Sequence, residues 1–168
     1  MKRTFTLLIA LACLTLAGCG FSLRGSQALP AELQQVALSA VKPHALLKRE
    51  LKARLKVYQI PHIEASELAG SANTVLIRLQ PETLERRLLS VFSTGQVAEY
   101  ELIYGVNYQV VFPNKEPLYA SFEVLRDYQD DPDKVLAKSR ELDLVVSEMR
   151  REAADRIIRQ LARQASGQ

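Results

Sequence analysis

From Tyr100 to Val110 every second residue is apolar: Tyr100, Leu102, Tyr104, Val106, Tyr108 and Val110 share one face, while Glu101, Gly105, Asn107 and Gln109 fall on the other. Alternation sustained this long describes a strand with one buried side. Its flanks repeat the signal. Leu88-Leu89-Ser90-Val91-Phe92 leads into the turn residues Ser93-Thr94-Gly95, and further upstream Val75, Ile77 and Leu79 alternate with Leu76, Arg78 and Gln80. Downstream, Pro113-Asn114-Lys115-Glu116-Pro117 forms a turn before Leu118, Ala120, Phe122 and Val124 line another strand. Two hairpins in series predict an antiparallel sheet.

Helical spacing brackets this region. Leu47, Leu51 and Leu55 recur every four residues after Pro43, with Lys48, Arg49, Lys52, Arg54 and Lys56 outward against a lone Glu50. Leu142, Val145, Met149, Ala153, Ile157 and Leu161 predict a second helix from about Pro132 to Ala162, with Asp131 as cap and Pro132 at the first helical position. Gln34 to Ser39 reads as a short edge strand. The predicted fold is α+β, a two-layer sandwich of two helices on one face of a four-stranded, largely antiparallel sheet. Gln164 to Gln168 reads as a disordered tail.

The N-terminus is a targeting segment. Lys2 and Arg3 precede an apolar run from Phe5 to Ala17, too short for the roughly 20 residues of a permanent membrane span. Leu16-Ala17-Gly18-Cys19 has the pattern of a bacterial lipobox. Residues 1–18 are then a lipoprotein signal peptide and Cys19 the lipid-attachment site. Cys13 leaves with the signal peptide, so no disulfide is expected. The other reading is an ordinary signal peptide that leaves Cys19 as a free thiol. Gly20 stands where many enterobacterial lipoproteins held in the inner membrane carry Asp, which favours the outer membrane.

Residues 19–168 suit one domain with a sizeable core. The full chain carries +3, of which Lys2 and Arg3 leave with the signal peptide, and no global field points to nucleic acid. The two histidines, His44 and His62, adjoin prolines at element boundaries and lack a partnered nucleophile, so both read as loop residues and no enzyme is expected. There is no Cys/His metal spacing or phosphate loop, and no cofactor is expected. Asp127, Asp130, Asp131 and Asp133 lack the spacing of a calcium loop, and capping explains the last three. The five tyrosines from Tyr58 to Tyr119 raise stacking on bases or sugars, but Tyr100, Tyr104 and Tyr108 occupy the apolar face and read as core.

Three stretches together resemble the LptE (RlpB) lipopolysaccharide-assembly lipoprotein family: "GCGFSLRG" at 18–25, "SVFSTGQVAEYEL" at 90–102, and "DPDKVLAK" at 131–138 followed by "VVSEMRREAADRIIRQL". The resemblance implies a lipid-anchored protein on the periplasmic side of the outer membrane. It also implies a complex with the LptD β-barrel, in which the domain plugs the barrel, aids its assembly and binds lipopolysaccharide. Family members use basic positions at the first hairpin turn and at the start of the C-terminal helix, and Lys138 matches the second. Ser93 stands at the first in place of a basic residue; Arg86 and Arg87 are about 20 Å back along the arm. Val91, Phe92, Ser93, Thr94 and Gly95 at the tip read as a partner contact, since exposed apolar groups mark interfaces. The alternative is a lipid-anchored envelope adaptor without a lipopolysaccharide role, using the basic helix from Leu46 to Val57.

Overall fold

The computed structural model describes residues 35–68 and 73–165; residues 1–18, expected to be a signal peptide, and Cys19 lie outside them. The elements run β1 (Gln35–Ala40), α1 (Leu46–Val57), β2 (His62–Glu64), β3 (Thr74–Leu79), β4 (Thr83–Val91), β5 (Val97–Val111), β6 (Leu118–Gln129) and α2 (Val135–Ala165). Both helices bury their apolar stripes in one core with the sheet: Leu47, Leu51 and Leu55 from α1, Met149, Ala153, Ile157, Ile158 and Leu161 from α2. Each fully buried leucine or isoleucine contributes about 1.5–3 kcal/mol. No helix among the described residues is long and apolar enough to cross a membrane.

The sheet is mixed and larger than the four largely antiparallel strands that the sequence predicts. Strand β1 is not at an edge; it pairs in parallel with β2 on one side and with β3 on the other. Val36, Ala37 and Leu38 are all 0% exposed, the two-sided burial expected of parallel strands. Strand β2 has three residues, too few for alternation to reveal, and it places His62 in the sheet opposite Val36 instead of in a loop. The antiparallel part follows expectation. Strands β3 and β4 run in succession along one edge of β5, and β6 covers the other.

Between β3 and β4 the register slips. Leu79 faces Tyr108 and Thr83 faces Gly105, so Gln80, Pro81 and Glu82 oppose only Val106 and Asn107. Pro81, which has no N–H for the ladder, occupies this bulge. The slip reverses which residues look toward the helices: Val75, Ile77 and Leu79 before it, Leu84, Arg86 and Leu88 after it.

Glu82, just past the slip, ties the layers together. Its carboxylate accepts from the Leu47 backbone N–H at 3.2 Å and from the Tyr104 hydroxyl at 2.5 Å, and it pairs with Arg150 of α2 at 3.4 Å. Helix α1 has Ala45 at its N-cap, which offers no side-chain oxygen, so Glu82 supplies the acceptor from the sheet. Burial first, and Glu82 second, hold the Tyr104 hydroxyl protonated far above its ordinary range.

The far end of α1 closes with a Schellman arrangement. Gln59 is left-handed (φ 57°), Ile60 N–H donates to the Leu55 carbonyl at 2.9 Å and Gln59 N–H to that of Lys56 at 3.1 Å. Helix α2 follows a 3-10 turn over Pro132–Lys134, in which Asp131 accepts from Asp133 N–H as expected of a cap. It runs to Ala165, so Gln164 and Ala165 are helical and not part of a tail; residues 166–168 lie outside the described residues.

Two stability changes test these contacts by chemical unfolding. Gln59→Gly removes the left-handed penalty and is expected to stabilise by about 0.5–1 kcal/mol. Glu82→Ala leaves α1 uncapped and the Tyr104 and Arg150 groups without their acceptor, an expected loss of about 2 kcal/mol.

Candidate ligand site between the hairpin and the second helix

The fully buried residues of α2 all lie between Met149 and Leu161; earlier in the helix Leu142 and Val145 still pack against the core, while its first turn projects beyond it, with Leu136 83% exposed. Strand β4 also runs past the core; Leu84, Leu88, Leu89 and Val91 are exposed along it. Where these two projections meet, the structure forms two adjoining cavities of about 300 and 390 Å³. Both are lined by Asp130, Asp131 and Lys138. The first adds Arg86, Tyr128 and Leu142; the second adds Phe92, Lys134 and Glu141.

Lys138 is anchored through its backbone. The Tyr128 hydroxyl donates to the Lys138 carbonyl at 2.6 Å, and the ammonium lies 5.3 Å from the centre of the Tyr128 ring. Glu141, one turn on, pairs with the ammonium at 2.9 Å and raises its pKa, so Lys138 stays charged. Burial raises the Tyr128 hydroxyl, which remains a donor. Lys134 pairs with Asp131 at 3.0 Å. The Arg86 guanidinium has no hydrogen-bond or ion-pair partner among the described residues. The site therefore holds one unpaired cation and two whose carboxylate partners are exchangeable, beside exposed apolar surface. Such a site can take an anionic group attached to an apolar body.

Of the residues singled out in the sequence, the structure brings Arg86, Lys138 and Phe92 together. Arg86 is far from the hairpin tip along the chain, but its side chain lines the same cavity as Val135 and Lys138 from the start of α2. Arg87 faces the other side of the sheet, opposite Glu101, and bonds to it at 2.8 Å. Ser93, Thr94 and Gly95 form the tip; Gly95 is left-handed (φ 84°) and its N–H donates to the Phe92 carbonyl at 2.9 Å. Phe92 is 44% exposed and Val91 is exposed beside it, so neither is absorbed by the sheet. Tyr128, Lys134 and Glu141 escaped the sequence reading. For Tyr128 the signal was its parity, because it continues the inward row of Phe122 and Val124.

The basic face of α1 is largely consumed internally. Lys48 and Lys52 both clamp Glu64, and Arg54 pairs with Asp155 at 2.6 Å. Hydrogen bonds from the two lysines hold the Glu64 carboxyl below its ordinary 4.5. A depressed folded pKa contributes stability that is present above the unfolded value and lost as pH falls through the folded one. The stability advantage of the natural chain over Glu64→Gln is thus expected to be full near pH 6 and to shrink below pH 4.5, measured by unfolding across that window.

A family model described as "LptE: Lipopolysaccharide-assembly" matches residues 33–161. The chain is 36% identical over 159 residues to the LPS-assembly lipoprotein LptE of Photorhabdus laumondii, covering 95% of this chain and 85% of that protein. The crystal structure of rare lipoprotein B from Shewanella oneidensis superposes with a TM-score of 0.70 at 41% identity, over 79% of this chain and 97% of that one. The solution structure of a lipoprotein B from Nitrosomonas europaea shares the fold, with a TM-score of 0.69 at 23% identity over 88% and 93%.

Proposed function

We propose, from the premise that this chain belongs to the LptE lipopolysaccharide-assembly family, that it is a lipoprotein binding lipopolysaccharide at the junction of β4 and α2. The observation that carries this is the convergence of Lys138 and Arg86 beside the exposed apolar Phe92. Lipopolysaccharide joins phosphates to acyl chains, and the two halves of the site match those two chemistries. A phosphate would displace Glu141 from Lys138 and take Arg86 as a further donor. Arg87, held by Glu101, would contribute through its charge and not through contact.

In this reading residues 1–18 are removed and Cys19 carries the lipid, leaving 19–168 as one periplasmic domain at the outer membrane. The domain plugs an LptD-type β-barrel and aids its assembly, and Val91 to Gly95 contact that partner. Burial inside a barrel accounts for apolar side chains left exposed along β4 and at the start of α2. The adaptor alternative relied on the basic face of α1, where Lys48, Lys52 and Arg54 are occupied by ion pairs.

Purifying the C-terminally tagged lipoprotein from detergent-solubilised outer membrane tests the proposal. A stoichiometric large β-barrel and bound lipopolysaccharide are expected. The double variant Lys138→Ala, Arg86→Ala is expected to weaken lipopolysaccharide binding by about tenfold, roughly 1.4 kcal/mol, while Arg87→Ala changes it less. Undiminished binding by the double variant removes this site, and recovery of the lipoprotein alone removes the barrel complex.

A further inference from the structure

The helices cover one face of the sheet; the other carries a second recess. It measures about 250 Å³ and is lined by Gln80, Asn107, Tyr108, Tyr119, Ala120 and Ser121. The ladder aligns most of these residues. Asn107 faces Ser121 in the β5–β6 pair, Gln109 faces Tyr119 in the next row of the same face, and the Gln80 N–H donates to the Asn107 carbonyl at the register slip. Two amides and a hydroxyl thus sit beside an aromatic ring that is 82% exposed. None of the Gln80, Asn107 and Ser121 side chains has a hydrogen-bond partner among the described residues, and no charged side chain lines the recess.

We infer that this recess is a saccharide site that takes one neutral pyranose ring. Amides and a hydroxyl both donate and accept, which suits vicinal sugar hydroxyls. An exposed tyrosine offers a flat apolar surface for the C–H face of a sugar ring, and with two side-chain torsions it loses little entropy on binding. No cation lines the recess to receive a phosphate or a carboxylate, Arg78 on the same face being engaged with the Gln109 amide oxygen at 3.2 Å, and a wholly apolar ligand would leave the amides unpaired. The volume lies below the roughly 300 Å³ at which drug-sized pockets begin, which fits one ring and not a chain. The reading does not depend on the phosphate-binding proposal, because Lys138 and Arg86 lie in other cavities.

Neutral sugar rings in a bacterial envelope belong to the glycan strands of the wall or to the core of lipopolysaccharide, and two probes separate these sources. The full lipoprotein in a deuterated, non-glycosidic detergent is titrated with tri-N-acetylchitotriose and, separately, with dephosphorylated core oligosaccharide, and saturation transfer to sugar ring protons is read by NMR. Transfer to at least one probe is expected, and the probe that responds names the source. Tyr119→Ala, at a side chain that packs little, is expected to reduce the transfer at least fivefold, as is Asn107→Ala, while Arg159→Ala, at an exposed position of α2, leaves it unchanged. Transfer to neither probe overturns the inference and leaves the face to a protein partner. Transfer that persists in Tyr119→Ala also overturns it, by placing the sugar elsewhere.

Discussion

Helix α1 begins without a cap of its own, and the carboxylate that completes it comes from the sheet. Glu82 can reach the Leu47 N–H only because the chain between Leu79 and Thr83 is one residue longer than its partner segment, which turns Glu82 toward the helices. The same carboxylate engages Tyr104 from the longest strand and Arg150 from α2. One irregular step in a ladder therefore sets the seating of both helices. It also turns Arg86 to the helix side, because the alternation of β4 is counted from that step.

This explains which parts of the fold were legible in the sequence. The alternation of β5, the leucine spacing of α1 and the long stripe of α2 each express a local period, and each element stands where that period placed it. The centre of the sheet does not work this way. Strand β1 is buried on both faces, so it lacks alternation, and its parallel partners lie far away in the chain; nothing local distinguishes a central strand from an edge. His62–Glu64 is too short to have a pattern. The slip at Pro81 was also hidden, since a bulge is defined by the strand opposite it.

The candidate site was legible in some of its members but not in its assembly. Lys138 was named through a resemblance, and Arg86 seemed remote because distance was counted along one strand. The two line one cavity from β4 and α2, and Tyr128 of β6 lies in the same lining, its hydroxyl fixing the helix backbone at Lys138 itself. The acidic residues nearby are spent on backbone and lysine partners: Asp131 on Asp133 and Lys134, Asp130 on the Asp131 N–H. They orient the start of α2, where Lys134 and Lys138 each keep one carboxylate partner, Asp131 and Glu141.

The central position of β1 also bears on the order in which the chain acquires its shape. Strands β4, β5 and β6 are joined by tight turns and can zip as neighbours, whereas Gln35 must wait for Thr74 to form its parallel pair. Pairing across such a separation carries the loop-closure cost that slows folding. Closure cost is thus low for the hairpins and high for β1, whose place between β2 and β3 is defined only once residues far along the chain are in position.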